Sequence, residues 1–343
     1  MYHMRFSGTH YEAGYKRGNI FKKVGLQFNL KLDDFQLDYG IKSGNILKQY
    51  FNEAYEEVRG ITDALDVDHK VFLAWMMCMG CCMYNLEDNI PEIRGCTAFC
   101  FSQNGEVYYG RNNDLPHFLK KGSQADYYKL KNIPRFYMTT SSFVNGEEGV
   151  NEFGLVVAMT FVATNLKDIS PGFNSVFIVR YLLEKASSTR EAIELLKNIP
   201  IASNCNILLG DKSKDLVVVE CNKNVINIRE PLINESKVKY VVITNEFSSK
   251  EMRKYEEKVH NYKASLRYEV ASSALEKIGL DDNPIEYSKS LLKGEFGFMC
   301  QYEERKEFET IWSTIIQIND FKIIRAEGNP RKAVFKIDER LKI

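Results

Sequence analysis

The sequence predicts a layered α+β fold in which antiparallel sheets pack against helices. Three observations predict it. Residues 1–90 carry apolar positions at helical spacing, and an Asn104-Gly105 step then joins two strand-like runs. From there the chain continues as strands, a helical pair, strands, a helix and strands, without an internal repeat or low-complexity linker.

The elements follow in order. "SGTHYEAGYKRGNIFKKVGLQFNLKLDDF" opens with a Ser/Thr helix-start signal, and "SGNILKQYFNEAYEEVRGITDAL" repeats its character. "VFLAWMMCMGCCMY" at 71–84 has fourteen residues, whereas a membrane span needs about twenty, so it reads as a buried helix. Around Asn104-Gly105 the paired positions sum to 209, which sets Asn113 opposite Cys96 and Arg111 opposite Ala98. Strict alternation points Asp114 to the other face, unless a bulge or strand end turns it inward. Further strands are expected in "RFYMTTSSFV", "FGLVVAMTFVAT", "NCNILLGDKSKDLVVVECNKNVINIRE" and "VKYVVITNEF". Between them Ser188-Thr189 caps the helix "REAIELLKN", which Pro200 ends, and "YKASLRYEVASSALEKIGL" is the later helix. The charge-rich "SSKEMRKYEEKVHNYK" reads as an exposed segment.

Composition narrows the function. Lys plus Arg equals Asp plus Glu at 46 each, so no net field draws the 343-residue chain to nucleic acid or to an anionic membrane. Hydrophobic residues at 44% suffice for one large core. The opening "MYHMRFSGTH" lacks the basic cap and apolar stretch of a secretory signal, and the eight cysteines are scattered. The expectation is a cytoplasmic protein with reduced thiols. Cys78, Cys81 and Cys82 lie in an apolar run with no second ligand pair nearby, so buried small side chains are expected there rather than a metal site.

Cys96 stands at the junction between the helical block and the strands. Three readings are open for it: buried filler, redox partner or nucleophile. A papain-like thiol needs a histidine, and the chain offers only His3, His10, His69, His117 and His260, with His117 close to the hairpin end. A second route needs none. If the Gly95–Cys96 bond is cut, the freed α-amine, with a pKa of about 7.7–8.0, serves as the base for its own thiol. Gly95, without a Cβ, is expected to permit strained backbone and approach of the thiol to its carbonyl.

Several stretches together resemble a known family. "GCTAFCFSQNGEVYYGRNND", "GVNEFGLVVA", "VVITNEF" and "SLRYE", with support from "GTHYEAGYKRG", "NILLGDKSKDLVVVE" and "TIWSTI", are similar to the N-terminal-nucleophile amide hydrolases. That group joins choloylglycine hydrolases and penicillin V acylases to acyl-CoA:6-aminopenicillanate acyltransferase. The long leader resembles the acyltransferase branch.

The resemblance implies a four-layer αββα sandwich, with residues 1–95 a helical leader packed on a catalytic core of 96–343, in one structural domain. It implies autocleavage at Gly95–Cys96, with Cys96 as nucleophile, Asp114 holding the new amine and Arg111 orienting the thiol. Asn245 is implied as the side-chain oxyanion donor and Arg267 as an arginine buried near the cysteine, with Asn206 a weaker candidate. A second oxyanion donor is expected from the backbone N–H of Phe161, by a count from the turn residue Asn151. Glu246 departs from the histidine that many relatives carry after the asparagine, and an inward-facing carboxylate there would disfavour anionic substrates.

The expected activity is hydrolysis or acyl transfer on C–N bonds of linear amides, with a small amide or acyl-CoA as substrate and no metal or cofactor. Alternatives from other classes are a non-catalytic binder of acyl ligands and a histidine-assisted thiol hydrolase using His117 or His260. Acyl group, amine and oligomeric state, including a homo-oligomer, stay open.

Overall fold

The computed structural model describes residues 1–28, 30–83, 95–258, 261–302 and 308–340. It opens with strand β1 (Tyr2–Gly8) and helices α1 (His10–Lys23), α2 (Asp34–Tyr50), α3 (Asn52–Leu65) and α4 (His69–Cys78). The hairpin β2 (Gly95–Gln103) and β3 (Glu106–Pro116) follows, then β4 (Gln124–Leu130), β5 (Phe136–Thr140), β6 (Glu148–Asn151) and β7 (Val156–Phe161). The helical pair is α5 (Ser175–Lys185) and α6 (Thr189–Lys197), the latter capped by Ser188 as its sequence predicts. After β8 (Cys205–Gly210), β9 (Leu216–Cys221), β10 (Ile226–Arg229), β11 (Leu232–Ile233) and β12 (Lys239–Ile243) come α7 (Ala264–Lys277) and α8 (Pro284–Lys293). Strands β13 (Phe308–Gln317), β14 (Lys322–Ala326) and β15 (Lys336–Asp338) end the described chain.

The strands form two sheets, ordered β1-β4-β5-β6-β7-β8-β9-β10 and β11-β12-β2-β3-β13-β14-β15. Every described pairing between these strands is antiparallel except β1 on β4. Side chains sort by period two into three apolar layers. Ala98 and Cys100 meet Val156, Ala158 and Leu208 between the sheets, while Phe99 and Phe101 face outward onto Ala271, Leu275 and Leu291 of α7 and α8. Val157, Met159 and Ile207 face the other way, onto Leu47, Phe72 and Met76 of the leading helices and Phe177 of α5. Helices, sheet, sheet, helices is the αββα sandwich.

The helical reading of residues 1–95 is corrected at its start, because Tyr2–Gly8 is a strand. Only Met4 and Phe6 of that segment turn inward, too few apolar positions to reveal a strand in the sequence. The helix expected through residue 84 stops at Cys78, where the chain turns at Gly80 with φ +73. The exposed charged segment contains one short 3-10 turn, Arg253–Tyr255, among its described residues.

The leader is joined to the core by buried charges as well as apolar surface. Arg17 on α1 donates to Asp126 (2.7 Å) and to the Tyr128 hydroxyl (2.5 Å) on β4. Arg180 on α5 spans Glu57 of α3 (2.6 Å) and Glu184 (2.5 Å), and His10 lies 2.8 Å from Glu184. Among the described residues no helix is long and apolar enough to cross a membrane. All eight cysteines are free thiols.

Candidate active site around Cys96

The Asn104-Gly105 turn has φ +51 and +88, the left-handed pair that suits a two-residue hairpin. It fixes the expected register, with Gly95 across from Asp114, Cys96 from Asn113 and Ala98 from Arg111. On the other side β12 pairs Ile243 with Ala98, and Asn245, two residues past the end of that strand, takes the Cys96 N–H. The cysteine is thus flanked by Asn113 on β3 and by Asn245 just beyond β12.

Cys96 is 2% exposed, and its thiol lies against side chains of β3. It donates to Asn113 Oδ1 (3.1 Å) and accepts from Arg111 Nη2 (3.1 Å). Arg111 also reaches Asn113 Oδ1 through Nη2 (2.8 Å) and Nε (3.3 Å), while its Nη1 donates to the Met159 carbonyl (2.6 Å) on the facing sheet. The guanidinium is therefore clamped by backbone and amide oxygens.

Around the Cys96 backbone a second cluster forms. The Cys96 N–H donates to Asn245 Oδ1 (2.7 Å), and Arg267 Nη1 donates to the Cys96 carbonyl (2.5 Å) and to Thr97 Oγ1 (2.8 Å). Arg267 also donates to Asn245 Oδ1 (3.0 Å) and to the carbonyls of Tyr262 (3.0 Å) and Asn261 (3.2 Å). An arginine on a helix is usually solvated, but this one is fully buried.

Asp114 stays on the face opposite the thiol, as alternation requires. The bulge lies on β13, where the register shifts between Thr310 and Trp312, and it does not turn Asp114 inward. Its carboxylate accepts from Thr310 Oγ1 (2.5 Å) and the Tyr302 hydroxyl (2.8 Å), with Arg267 4.0 Å away. Gly95 is a strand residue with no positive φ, so the strained backbone expected there is absent. What a side chain would meet there is crowding, since a Cβ would sit 3.0 Å from that of Asp114 and 3.3 Å from the Phe308 ring.

Burial pushes the Cys96 thiol above its ordinary range, with Arg111 and Arg267 pulling it down and Asp114 and Glu147 adding to the rise. Burial also lifts Asp114 to about 6, against the downward pull of Arg267, Thr310 and Tyr302. Arg111 is opposed by burial, but the Cys96 thiol, Tyr109, Glu148 and Glu147 outweigh that and hold it above its usual range.

The remaining expectations fall as follows. Asn245 Nδ2 donates to the Phe161 carbonyl (3.1 Å), which joins the two residues named as oxyanion donors. Asn206 Nδ2 donates to the carbonyls of Thr244 (3.0 Å) and Glu246 (3.0 Å), and Asn151 shapes its turn by accepting from the N–H groups of Phe153 (3.2 Å) and Leu155 (3.1 Å). Glu246 is turned toward α7, taking the Ser265 hydroxyl (2.7 Å). His117 faces Glu309 (3.4 Å), and among the described residues no histidine bonds to Cys96. His260 lies outside the described residues. Among the described residues no group of three or more His, Cys, Asp or Glu is placed to hold a metal ion. Sequence reasoning gave Asn113, Thr97, Tyr302 and Thr310 no role; the hairpin register alone was enough to find Asn113.

A buried thiol between an arginine and an asparagine, with its backbone clasped by a second pair, defines a candidate nucleophile at a strand end. The chain belongs to the acyl-coenzyme A:6-aminopenicillanic acid acyl-transferase family, whose model matches residues 100–332. No curated protein matches it. Among solved structures it is similar to a penicillin V acylase from Agrobacterium tumefaciens, with 17% identity over 72% of this chain and 87% of that one and a TM-score of 0.48. A Caenorhabditis elegans N-acylethanolamine-hydrolyzing acid amidase ortholog gives 15%, 71%, 100% and 0.49. A mutant conjugated bile acid hydrolase from Clostridium perfringens gives 14%, 72%, 97% and 0.46.

Proposed function

We propose that the chain is a cysteine N-terminal-nucleophile enzyme that frees Cys96 by autocleavage and then hydrolyses, or transfers the acyl group of, small linear amides. The observation that carries this reading is the double clamp on one residue. Arg111 and Asn113 hold the Cys96 thiol while Asn245 and Arg267 hold its N–H and carbonyl. A buried filler cysteine has no use for either clamp. Family membership supports an enzyme of the amide-hydrolysing or acyl-transferring kind.

In maturation the Cys96 thiol attacks the Gly95 carbonyl, the peptide nitrogen leaves as the Cys96 α-amine, and water hydrolyses the resulting thioester. Residues 1–95 then become one chain and 96–343 the other. In turnover the α-amine takes the thiol proton, sulfur attacks the substrate carbonyl, and the oxyanion is met by the Asn245 side-chain amide and the Phe161 N–H. The protonated amine gives its proton to the departing nitrogen. Water or a second amine resolves the acyl-thioester. Asp114 and Arg267 hold the new amine and the Cys96 carbonyl. Every proton and electron pair is supplied by protein and substrate, so the scheme uses no cofactor, and free thiols suit a reducing cytoplasm.

The test is intact-mass measurement of freshly purified protein together with a panel of amides and acyl-CoA donors. The wild type should give two species meeting at Gly95–Cys96 and an acyl mass adduct on the 96–343 chain; Cys96→Ala should give one chain and no adduct. Turnover by a chain that remains uncut would overturn the free-amine mechanism.

A further inference from the structure

Asn113 carries an unspent hydrogen-bond donor beside the thiol. Its Oδ1 is engaged by three donors, Arg111 Nη2, Arg111 Nε and the Cys96 thiol. That fixes which way the amide faces, because the reversed amide would set N–H against guanidinium N–H. Nδ2 is thereby defined, and it is fully buried without a hydrogen-bond partner. A buried amide N–H left unpaired costs about 1–3 kcal/mol, so such a group is retained where something else pairs with it.

The position of Asn113 says what that something is. Asn245 and Phe161 lie on the β12 and β7 side of Cys96, and Asn113 lies on the β3 side. A carbonyl whose oxygen points to Asn245 turns its remaining substituents away from it, toward β3. We infer that Asn113 is a substrate-reading residue, whose Nδ2 donates to an oxygen acceptor that the substrate carries two to four bonds from the scissile carbonyl carbon. This rests on the proposed function and narrows its substrate class to amides bearing such an oxygen, on the acyl or the amine side, over all-hydrocarbon amides. A site built to pair with a substrate acceptor discriminates against the analogue lacking it, because the site's own buried donor is then left bare.

Three size-matched amides test it: N-butyl butyramide, N-butyl methoxyacetamide with the oxygen on the acyl side, and N-(2-methoxyethyl) butyramide with it on the amine side. Turnover and, by NMR titration, binding are both measured on the wild-type protein and on its Asn113→Leu and Asn113→Asp variants, because Cys96→Ala would stay uncut. The expected result is a preference of about tenfold for one oxygen-bearing amide over N-butyl butyramide. Asn113→Leu should bring that ratio to about one. Asn113→Asp keeps an acceptor for Arg111 but replaces the donor with a second, negatively charged acceptor oxygen that repels the substrate oxygen, and should carry the ratio below one. The oxygen-bearing amide that wins tells acyl side from amine side. No binding by any of the three, equal binding of all three, or a preference that survives both substitutions would overturn the inference. Turnover without preference overturns the inference alone; a binding preference without turnover overturns the proposed function and leaves the inference standing.

Discussion

Asn206 grips the chain on both sides of Asn245: one Nδ2 lies 3.0 Å from the Thr244 carbonyl and 3.0 Å from the Glu246 carbonyl. The same Nδ2 reaches Thr160 Oγ1 (3.1 Å), the neighbour of Phe161, and that hydroxyl itself donates to Thr244 O (2.6 Å). One buried amide therefore ties both candidate oxyanion donors into a single unit across the two sheets. Asn206→Leu is expected to cost about 1–3 kcal/mol in urea denaturation. It should lower kcat on a turned-over amide more than it raises KM, since the lost alignment matters when charge develops on the carbonyl.

Arg267 is expected to be irreplaceable by lysine. Its donors reach five acceptors in a planar fork that an ammonium cannot reproduce. Arg267→Met leaves Asp114 buried without its nearest cation, and the expected loss is about 3–5 kcal/mol, with Arg267→Lys only partly restoring it. Denaturant midpoints of the three proteins check this.

Asp114 should leave a signature in the pH dependence of stability. Burial raises its carboxyl to about 6 from the ordinary 3.8, so between those values the folded chain binds the proton that the unfolded chain has lost. Its contribution is full below about pH 4 and falls away as pH rises through about 6, a change of about 3 kcal/mol. Asp114→Asn should flatten that slope. Tyr302→Phe removes a donor that favours the carboxylate, and should move the end of the window to higher pH. Urea titrations between pH 4 and 7.5 read both.

Gly95→Ala tests the crowding at the proposed cleavage junction. The added methyl meets Asp114 and the Phe308 ring at 3.0–3.3 Å, so the strand end must shift by a few tenths of an ångström. Cleavage followed by intact mass should slow at least tenfold, and about 1–3 kcal/mol of stability should be lost.

What could be read from the sequence and what could not divide along local and long-range information. The hairpin register was legible because an Asn-Gly turn dictates pairing over the next ten residues on either side, and Cys96, Arg111 and Asn113 fall within it. The facing of Asp114 followed from alternation alone. Strand β1 was hidden because its identity depends on a parallel partner more than a hundred residues away. The burial of Arg267 was likewise hidden, since five oxygens drawn from three separate segments create the site that holds it. Tyr302 and Thr310 reach Asp114 across nearly two hundred residues. Such contacts leave no short-range trace in the chain.

Strand β1 gives the leader a different status from that of a removable cap. Its seven residues complete the edge of the eight-stranded sheet, and three leader side chains, His10, Arg17 and Glu57, complete charge pairs whose other halves are buried in the core. A cut at Gly95–Cys96 would therefore yield two polypeptides sharing one cooperative folding unit. They should elute together from a sizing column at micromolar concentration, exchange with labelled leader no faster than the protein globally unfolds, and melt in a single transition whose midpoint falls on dilution.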